Sequence, residues 1–369
     1  MSFDPVTFYS RTRAARKIIV VDLGFLGDSV HLIPALWEMK RHYPEAQLHT
    51  LSAVVGSEVL QLAPCVDRAW TFPLGSPSPP WWRHWDIIRN LRRERFDLAF
   101  NFSGADRTVF LTALTGAKWR LAHAAGRKHF WNPWLIRTWI PRRSTALPVY
   151  EQRRQVLAAC GINLAPPRWE LAIPTGAARQ MEATVPAGAV HISINASTPL
   201  KEWPLRHWVA LVKGLLAENS DMRIVATAAR PERESQRLLA LVEGVADQRL
   251  LPLKAGMAIA DLAGVLTRCC LHVGADSGVL HLAAALGLPT VAIFRDYSGA
   301  PEWLPHGPEH QHLLAPCPCA KLRAAPCEEP GEALCLAGLA PERVLALVQG
   351  SLRRAHPGAV DKQIRPSTQ

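Results

Sequence analysis

The side chains that most clearly suggest chemistry lie in the stretch 272–289, HVGADSGVLHLAAALGLP. It reads as a buried strand, a turn with Asp276 and Ser277, and an Ala- and Leu-rich helix that starts near Gly278 and contains His281. The first N–H groups of a helix lack backbone partners, the helix dipole favours an anion there, and a glycine lets a phosphate approach the backbone. The stretch therefore predicts a phosphate-binding helix start. An ordinary helix capped by Asp and Ser is the alternative.

A second candidate is the stretch 195–204, NASTPLKEWP, which follows another predicted strand. It places Ser197, Thr198 and Lys201 in one loop before a helix. A lysine there would neutralise a diphosphate, and hydroxyls would donate hydrogen bonds to its oxygens. The alternative is that the loop does no more than lead into the helix.

The third candidate is Asp28, in the loop GFLGD that follows the first predicted strand. A carboxylate at the end of a strand in an α/β domain points into the crevice where ligands bind, and there it can act as a general base. A helix cap is the alternative for Asp28. His31, three residues later, is more typical of packing or hydrogen bonding than of catalysis.

Two series of alternating strands and helices position these loops, which predicts two doubly wound α/β domains with parallel sheets. We expect an N-terminal domain over 1–165, a proline-rich linker over 166–188, a C-terminal domain over 189–352 and a tail over 353–369. A cleft between two such domains would let one ligand contact both. The predicted strands are 17–22, 47–53, 67–72, 97–102, 119–123, 189–195, 222–228, 248–253, 269–274 and 290–294. The predicted helices are 81–95, 107–114, 205–218, 232–242, 258–267, 277–286 and 341–351.

Composition excludes several classes of protein. Of the 369 residues 49% are hydrophobic, too many for a disordered chain, and no short repeat indicates a collagen-like or coiled-coil protein. The formal net charge of +11 is uneven, since residues 1–165 carry +10 and the remainder +1. The first half therefore suggests an anionic partner: nucleic acid, an acidic membrane surface, or a phosphorylated or carboxylated substrate. A basic surface that serves solubility is the alternative.

No stretch of about twenty residues is apolar enough for a membrane-spanning helix, because the best candidate, 271–294, is interrupted by charged residues, Gly and Pro. The apolar run near the N-terminus ends at Asp22, too early for the core of a signal peptide. The sequence therefore predicts a cytoplasmic protein.

Taken together, the ordered motifs resemble glycosyltransferase family 9, the lipopolysaccharide heptosyltransferases, whose fold is GT-B. The matching segments run from about residue 17 to about residue 350. They are Gly27 to Pro34, Asn195 to Pro204, Asp276 to Ala284, and a C-terminal segment with Cys317, Cys319, Cys327, Cys335 and Leu339 to Val344.

The resemblance implies an inverting transferase that moves heptose from ADP-L-glycero-D-manno-heptose to the lipopolysaccharide inner core. Asp28 would then be the base that deprotonates the acceptor hydroxyl. The donor would be bound by Ser197, Thr198, Lys201, Ser277 and Gly278 at its phosphates, by Asp276 at its sugar hydroxyls, by Glu232 or Glu234 at its ribose, and by His281 within the same motif.

The chain contains no Asp-x-Asp pair, so the usual carboxylate clamp for a divalent metal on the diphosphate is missing. Because a lysine and a helix start can stabilise the same charge, we expect a metal-independent reaction with no cofactor. The clustered cysteines have the spacing C-x-C-x7-C-x7-C, which lacks the paired C-x2-C of common zinc sites, so we assign no metal ligand.

Helix 81–95 is basic and amphipathic. It is typical of a helix packed on a sheet, or of a surface that touches the inner membrane peripherally at its cytoplasmic face.

Two alternative functions stay open: a family member with another nucleotide sugar or acceptor, and a basic nucleic-acid-binding protein. The second lacks any recognisable nucleic-acid motif, so we expect no nucleic-acid partner.

Overall fold

The computed structural model describes residues 5–74, 80–124, 131–141, 147–297, 299–317 and 332–355. The chain divides into two compact units, Met1–Ala172 and Ile173–Gln369. Each unit contains a six-stranded sheet with parallel pairing throughout and helices between the strands. The expected α/β architecture of two doubly wound units is confirmed.

The sheet of the N-terminal unit has the order β3-β2-β1-β4-β5-β6. Its strands are β1 Lys17–Val21, β2 Gln47–Ser52, β3 Arg68–Thr71, β4 Leu98–Asn101, β5 Trp119–Ala124 and β6 Thr138–Pro141. Its helices are α1 Phe8–Thr12, α2 Leu26–His42, α3 Val54–Leu60, α4 Trp85–Arg93, α5 Asp106–Leu114, α6 Asn132–Leu135 and α7 Val149–Ala159. Short 3-10 turns occupy Pro5–Thr7 and Trp81–His84.

β1 shows why this sheet forms. Its four residues from Ile18 to Val21 are β-branched and fully buried, as expected for a central strand covered on both faces. It pairs in register with β2 on one side, Ile19 facing His49, and with β4 on the other, Ile19 facing Ala99.

The sheet of the C-terminal unit has the order β12-β11-β10-β7-β8-β9. Its strands are β7 Ala189–Ser193, β8 Ile224–Ala226, β9 Leu250–Pro252, β10 Cys269–Ala275, β11 Thr290–Asp296 and β12 His310–Pro316. Its helices are α8 Thr175–Thr184, α9 Leu205–Glu218, α10 Glu232–Val245, α11 Ile259–Arg268, α12 Gly278–Ala285, α13 Ala300–Trp303, α14 Leu334–Ala337 and α15 Pro341–Ala355. A 3-10 turn occupies Pro199–Lys201.

The core of the C-terminal unit includes two buried tryptophans beside the 195–204 loop. Trp203 and Trp208 are fully buried, and their rings meet edge to face with centroids 5.3 Å apart. The indole N–H of Trp203 donates to the carbonyl of Leu339 at 3.0 Å. The end of the loop is thus packed into the apolar core, which fixes where its preceding residues lie.

All ten predicted strands are present, but several elements were not predicted. The edge strands β6 and β12 were missed because TWIP is short and HQHLLAP begins with three polar residues. The helices α3 and α7 were missed because α3 is only seven residues long and the buried face of α7 includes two arginines. The stretch expected to be a linker, 166–188, contains α8, whose Met181 is buried against α11. Most of the expected tail lies outside the described residues. Within the part described, no helix has the length and apolarity needed to cross a membrane.

Candidate functional site

In each sheet, the direction in which successive strands are added reverses once. Three of the candidate residues follow strands that lie at these two reversal points. In the N-terminal unit the strand order reverses between β1 and β4, and in the C-terminal unit between β7 and β10. Ligands of open α/β sheets bind outside the carboxyl ends of the strands at such a switch point. Asp28 follows β1, Lys201 follows β7 and Asp276 follows β10.

Asp28 occupies the first turn of α2. Its Oδ2 accepts the backbone N–H of Phe25 at 3.0 Å, so the carboxylate caps the helix, as the alternative reading proposed. Its side chain is nevertheless 29% exposed. Capping therefore engages one oxygen, and the group keeps access to solvent.

Two charged neighbours act on Asp28. The guanidinium Nη2 of Arg153, on α7, lies 3.4 Å from Asp28 Oδ1 and 3.1 Å from Asp22 Oδ2. Burial raises the pKa of Asp28 above its usual value, Arg153 opposes this, and the charge of Asp22 adds to the rise. An aspartate with a raised pKa is a stronger base than a free one.

The backbone at Gly24 packs against this carboxylate. A Cβ at residue 24 would lie 2.3 Å from the Cβ of Asp28 and 2.6 Å from its Cγ. Atoms cannot approach so closely, so only glycine leaves Asp28 in place. Gly24 also donates its N–H to Oδ1 of Asp22 at 2.8 Å, which anchors the second carboxylate.

His31 serves packing, as expected for it. Its ring is buried, stacks parallel to Tyr150 at 6.2 Å between centroids, and meets Trp169 edge to face at 6.0 Å. It lies one turn beyond Asp28 and holds α2 against α7 and the segment after it.

In the C-terminal unit, two of the predicted site residues are paired with each other. Lys201 Nζ lies 2.7 Å from Asp276 Oδ2, and both side chains are largely buried. The family resemblance implied that Lys201 binds the phosphates and Asp276 the sugar hydroxyls, and it did not predict this ion pair. The pair brings the loop after β7 to the loop after β10, across the switch point.

The start of α12 lies directly after Asp276. Ser277 is its capping residue, but its hydroxyl makes no capping bond, and its buried Oγ has no hydrogen-bond partner among the residues that the structure describes. Gly278 is the first helical residue, so nothing but its backbone faces outward there. A buried hydroxyl without a partner beside open helix N–H groups is suited to an anionic oxygen.

His281 and Tyr297 complete this cluster. His281 is buried, and burial lowers its pKa to about 4, with Asp276 and Lys201 acting in opposite directions, so it is neutral near pH 7. The pKa of Tyr297 is raised, first by burial and then by the charge of Asp276. Tyr297 was not predicted, because it follows β11 and belongs to none of the motifs.

The loop that carries Lys201 is held by a buried carboxylate. Glu202 is 4% exposed and accepts the N–H of Ala196 at 3.0 Å. It also pairs with Arg233 Nη1 at 2.7 Å and with Arg237 Nε at 3.3 Å, both on α10. Three separate donors thus fix the ends of the loop, and a sequence pattern cannot predict such a network.

The remaining predicted donor-binding residues are more exposed. Ser197 is exposed and Thr198 half-buried, where its carbonyl accepts the N–H of Lys201 at 3.0 Å. Glu234 accepts the N–H of Ala229 at 3.0 Å and so closes its own loop. Glu232 is exposed at the first turn of α10, and its Oε1 accepts the side-chain amide of Gln236.

Two histidines lie in the sheet beneath this cluster. His191 on β7 and His272 on β10 are fully buried, with their Nδ1 atoms 2.8 Å apart, and His191 Nε2 contacts the Thr227 hydroxyl at 2.9 Å. Burial lowers the pKa of His191 to about 3 and that of His272 well below its usual value. Both are neutral at pH 7 and share one proton between the Nδ1 atoms.

Part of the cysteine cluster also touches the Lys201 loop. Arg295, which is buried, donates to Cys317 Sγ at 3.1 Å and to the carbonyl of Leu200 at 3.1 Å. Burial raises the pKa of Cys335, Arg295 opposes this, and the adjacent Cys317 thiol adds to the rise. Cys319 and Cys327 lie outside the described residues.

These features match a known enzyme family. The sequence profile of glycosyltransferase family 9 (heptosyltransferase) matches residues 84–332, which is more than half of the chain. The chain belongs to this family. It is therefore a glycosyltransferase, as the motifs predicted.

Relatives of this transferase match three quarters or more of its length. It is 26% identical to lipopolysaccharide heptosyltransferase 1 of Pseudomonas aeruginosa, over 91% of this chain and 98% of the relative. It is 24% identical to lipopolysaccharide heptosyltransferase 1 of Escherichia coli K12, over 75% of this chain and 87% of the relative.

Solved structures confirm the GT-B fold of the transferase. E. coli ADP-heptose lps heptosyltransferase II superposes with a TM-score of 0.72 at 18% identity, covering 92% of this chain and 99% of that one. E. coli heptosyltransferase WaaC with ADP superposes with a TM-score of 0.70 at 19% identity, covering 91% and 99%.

The amphipathic helix of the transferase, α4, is divided into two faces. Ile88 and Leu91 are buried in the sheet-facing core, as the packing interpretation requires. The opposite face exposes Trp85, at 48%, together with Arg89, Arg92 and Arg93. Trp82, just before the helix, is 62% exposed.

Proposed function

We propose that the transferase moves heptose from ADP-L-glycero-D-manno-heptose to the lipopolysaccharide inner core with inversion at the anomeric carbon. The observation that carries this proposal is the cluster of Lys201, Asp276 and the start of α12, where the Ser277 hydroxyl has no hydrogen-bond partner within the described part of the chain. Relatives named as lipopolysaccharide heptosyltransferases support both the sugar and the acceptor class. A solved structural neighbour binds ADP-2-deoxy-2-fluoro heptose, which supports the donor.

The donor diphosphate would take Lys201 as its counter-ion. Because Lys201 Nζ and Asp276 Oδ2 are already 2.7 Å apart, the lysine is placed before the donor arrives. The phosphate oxygens would then accept hydrogen bonds from the Ser277 hydroxyl and the N–H of Gly278, with Ser197 and Thr198 on the other side. Neutral His281 would donate or accept one hydrogen bond without adding charge, and Glu232 would accept bonds from the ribose hydroxyls.

The chemical step would use Asp28 as the general base. The acceptor oxygen forms a bond to the anomeric carbon, the bond from that carbon to the ADP oxygen breaks, and the acceptor proton passes to Asp28. Negative charge grows on the leaving ADP, where Lys201 and the helix start stabilise it. Since these groups supply the charge stabilisation, we propose that no metal or other cofactor takes part.

The acceptor is anchored in a membrane, so we also propose a peripheral contact through α4 at the cytoplasmic face of the inner membrane. Exposed Trp82 and Trp85 beside Arg92 and Arg93 are the side chains that bind an acidic lipid surface. We expect Arg92→Glu/Arg93→Glu to lower binding to acidic vesicles, with binding to neutral vesicles as the reference. Equal binding of both proteins would remove this part of the proposal.

The deciding experiment is a transfer assay with ADP-heptose and defined core acceptors, with product stereochemistry determined by NMR. We expect inversion, full activity in EDTA, and competition by ADP. Transfer only from another nucleotide sugar would keep the family and replace the donor. Salt-sensitive binding to nucleic acid, without any rise in melting temperature on adding ADP, would favour the nucleic-acid-binding alternative.

A further inference from the structure

A single buried guanidinium serves two carboxylates in the N-terminal unit. Arg153 Nη2 lies 3.1 Å from Asp22 Oδ2 and 3.4 Å from Asp28 Oδ1. Its Nη1 donates to the backbone carbonyl of Asp28. Arg153 is 9% exposed and Asp22 is 1% exposed, so the cluster is shielded from water on the side away from the Asp28 carboxylate.

The two carboxylates contact Arg153 in different ways. Asp22 accepts the N–H of Gly24 on its Oδ1, whereas its Oδ2 is in ion-pair contact with Arg153 and has no hydrogen-bond partner among the described residues. Arg153 hydrogen-bonds to Asp28 instead, at Oδ1 and at the backbone carbonyl. The contact to Asp28 is longer, and Asp28 is the more exposed carboxylate. A guanidinium that paired tightly with Asp28 would make it a poor base, whereas no cation at all would leave two carboxylates repelling each other.

We propose that Arg153 is the positioning residue for the catalytic base, held by Asp22 so that it fixes the backbone and one oxygen of Asp28 without neutralising it. This inference rests on the proposed role of Asp28. When Asp28 takes the acceptor proton, its repulsion with Asp22 disappears and Arg153 remains paired with Asp22. The cluster thus goes from one excess negative charge to none.

The charged groups that act on Asp28 come from three elements. Arg153 belongs to α7 and Asp22 to the loop after β1, while the N–H of Phe25 and the carboxylate itself belong to the start of α2. His31, on the next turn, is packed between aromatic rings. A change in the titration of Asp28 on altering Arg153 or Asp22 is therefore directly interpretable.

The test compares Arg153→Gln, Arg153→Lys, Asp22→Asn and the double variant Asp22→Asn/Arg153→Gln. The first readout is the pH profile of kcat/KM for transfer. In Arg153→Gln we expect kcat to fall about tenfold or more and the acid limb to move up by about one pH unit, with the KM for the donor unchanged. Arg153→Lys should recover part of both effects, and the double variant should return the acid limb towards its original position.

The second readout needs no substrate: titration of the Asp28 carboxyl by NMR in protein labelled with 13C at the Asp carboxyls, with Asp28→Asn for assignment. The proposal is supported if the pKa of Asp28 follows the same order as the acid limb: highest in Arg153→Gln, lower in Arg153→Lys, and closer to the wild type in the double variant. An unchanged pKa of Asp28 in a folded Arg153→Gln protein would overturn the proposal. A raised KM for the acceptor with an unchanged acid limb would also overturn it, because Arg153 would then bind the acceptor. If the wild type transfers no heptose, the proposed function fails while this titration still decides the coupling.

Discussion

The two switch points have the same strand order around them but opposite balances of charge. At the N-terminal one, Asp22 and Asp28 share the single cation Arg153, which leaves an excess negative charge. At the C-terminal one, Lys201 and Asp276 neutralise each other, and the positive end of α12 lies beside them. An excess carboxylate attracts a proton, whereas a neutral pair beside a helix start can accept a phosphate. One architecture thus supports a base in one unit and an anion site in the other.

The largest expected effect concerns the catalytic base at the N-terminal switch point. Asp28→Asn keeps the size of the side chain and removes the base, so we expect kcat to fall by about 10²–10⁴ while the Kd for ADP is unchanged. The measurement is steady-state transfer together with calorimetric titration of ADP. Asp247→Asn, at a half-buried carboxylate paired with Arg249, is the matched control. Near-normal turnover in Asp28→Asn would contradict the assignment of the base.

The next largest effect concerns the anion site at the C-terminal switch point. Lys201→Ala leaves Asp276 without its partner next to the phosphate site, so we expect the Kd for ADP to rise about tenfold to a hundredfold. Lys213→Ala, on the exposed face of α9, should leave the Kd unchanged. If ADP still raises the melting temperature of Lys201→Ala as it does that of the wild type, the lysine does not bind the phosphates.

The stability of the two units should also depend differently on pH. His191 and His281 have pKa values lowered to about 3 and about 4, so between those values and about 6.5 the unfolded chain binds more protons than the folded one. The free energy of unfolding should therefore fall as the pH falls below about 6.5, by up to about 1.4 kcal/mol per pH unit per histidine.

The measurement is hydrogen exchange between pH 7 and pH 5, compared for peptides from β7 and β10 and from β1 and β4. Protection should weaken first in the C-terminal unit, and His191→Gln should reduce the slope. Equal loss in both units would contradict the assignment to these buried histidines.

The smallest effect separates two neighbouring carboxylates in the C-terminal unit. Glu232 is exposed, whereas Glu234 is engaged by the N–H of Ala229. We expect Glu232→Gln to raise the Kd for ADP by a few fold and Glu234→Gln to change it less, because the net contribution of a hydrogen bond is only about 0.5–1.5 kcal/mol. The reverse order would assign the ribose to Glu234.

Much of the fold followed from local pattern. The β-branched run of β1 and the apolar strand before Asp276 have a period and composition that few other structures accept. The edge strands β6 and β12 could not be predicted from local pattern, because a strand with one neighbour needs less apolar surface than a central one. α7 did not follow either, since its buried residues include Arg153 and Arg154.

The candidate site was predictable by residue type but not by contact. Lys201 and Asp276 were both assigned to the donor, yet their ion pair depends on β7 and β10 being neighbours, which no local pattern records. Arg153 lies 125 residues from Asp28 and belongs to no motif. Tyr297 and Glu202 were missed for the same reason: their roles arise only when separate loops meet.

The contact between Gly24 and Asp28 sets a rule for variation. A Cβ at residue 24 would overlap the Asp28 side chain, and the φ of Gly24 does not itself demand glycine. The restriction is therefore one of occupied space, and because the shortest contact is to the Cβ of residue 28, it would vanish only if residue 28 were also glycine. In a library that randomises both positions under selection for heptose transfer, the pair should survive only together. Released from that selection, residue 24 should accept other side chains once residue 28 has become glycine and its Cβ is gone.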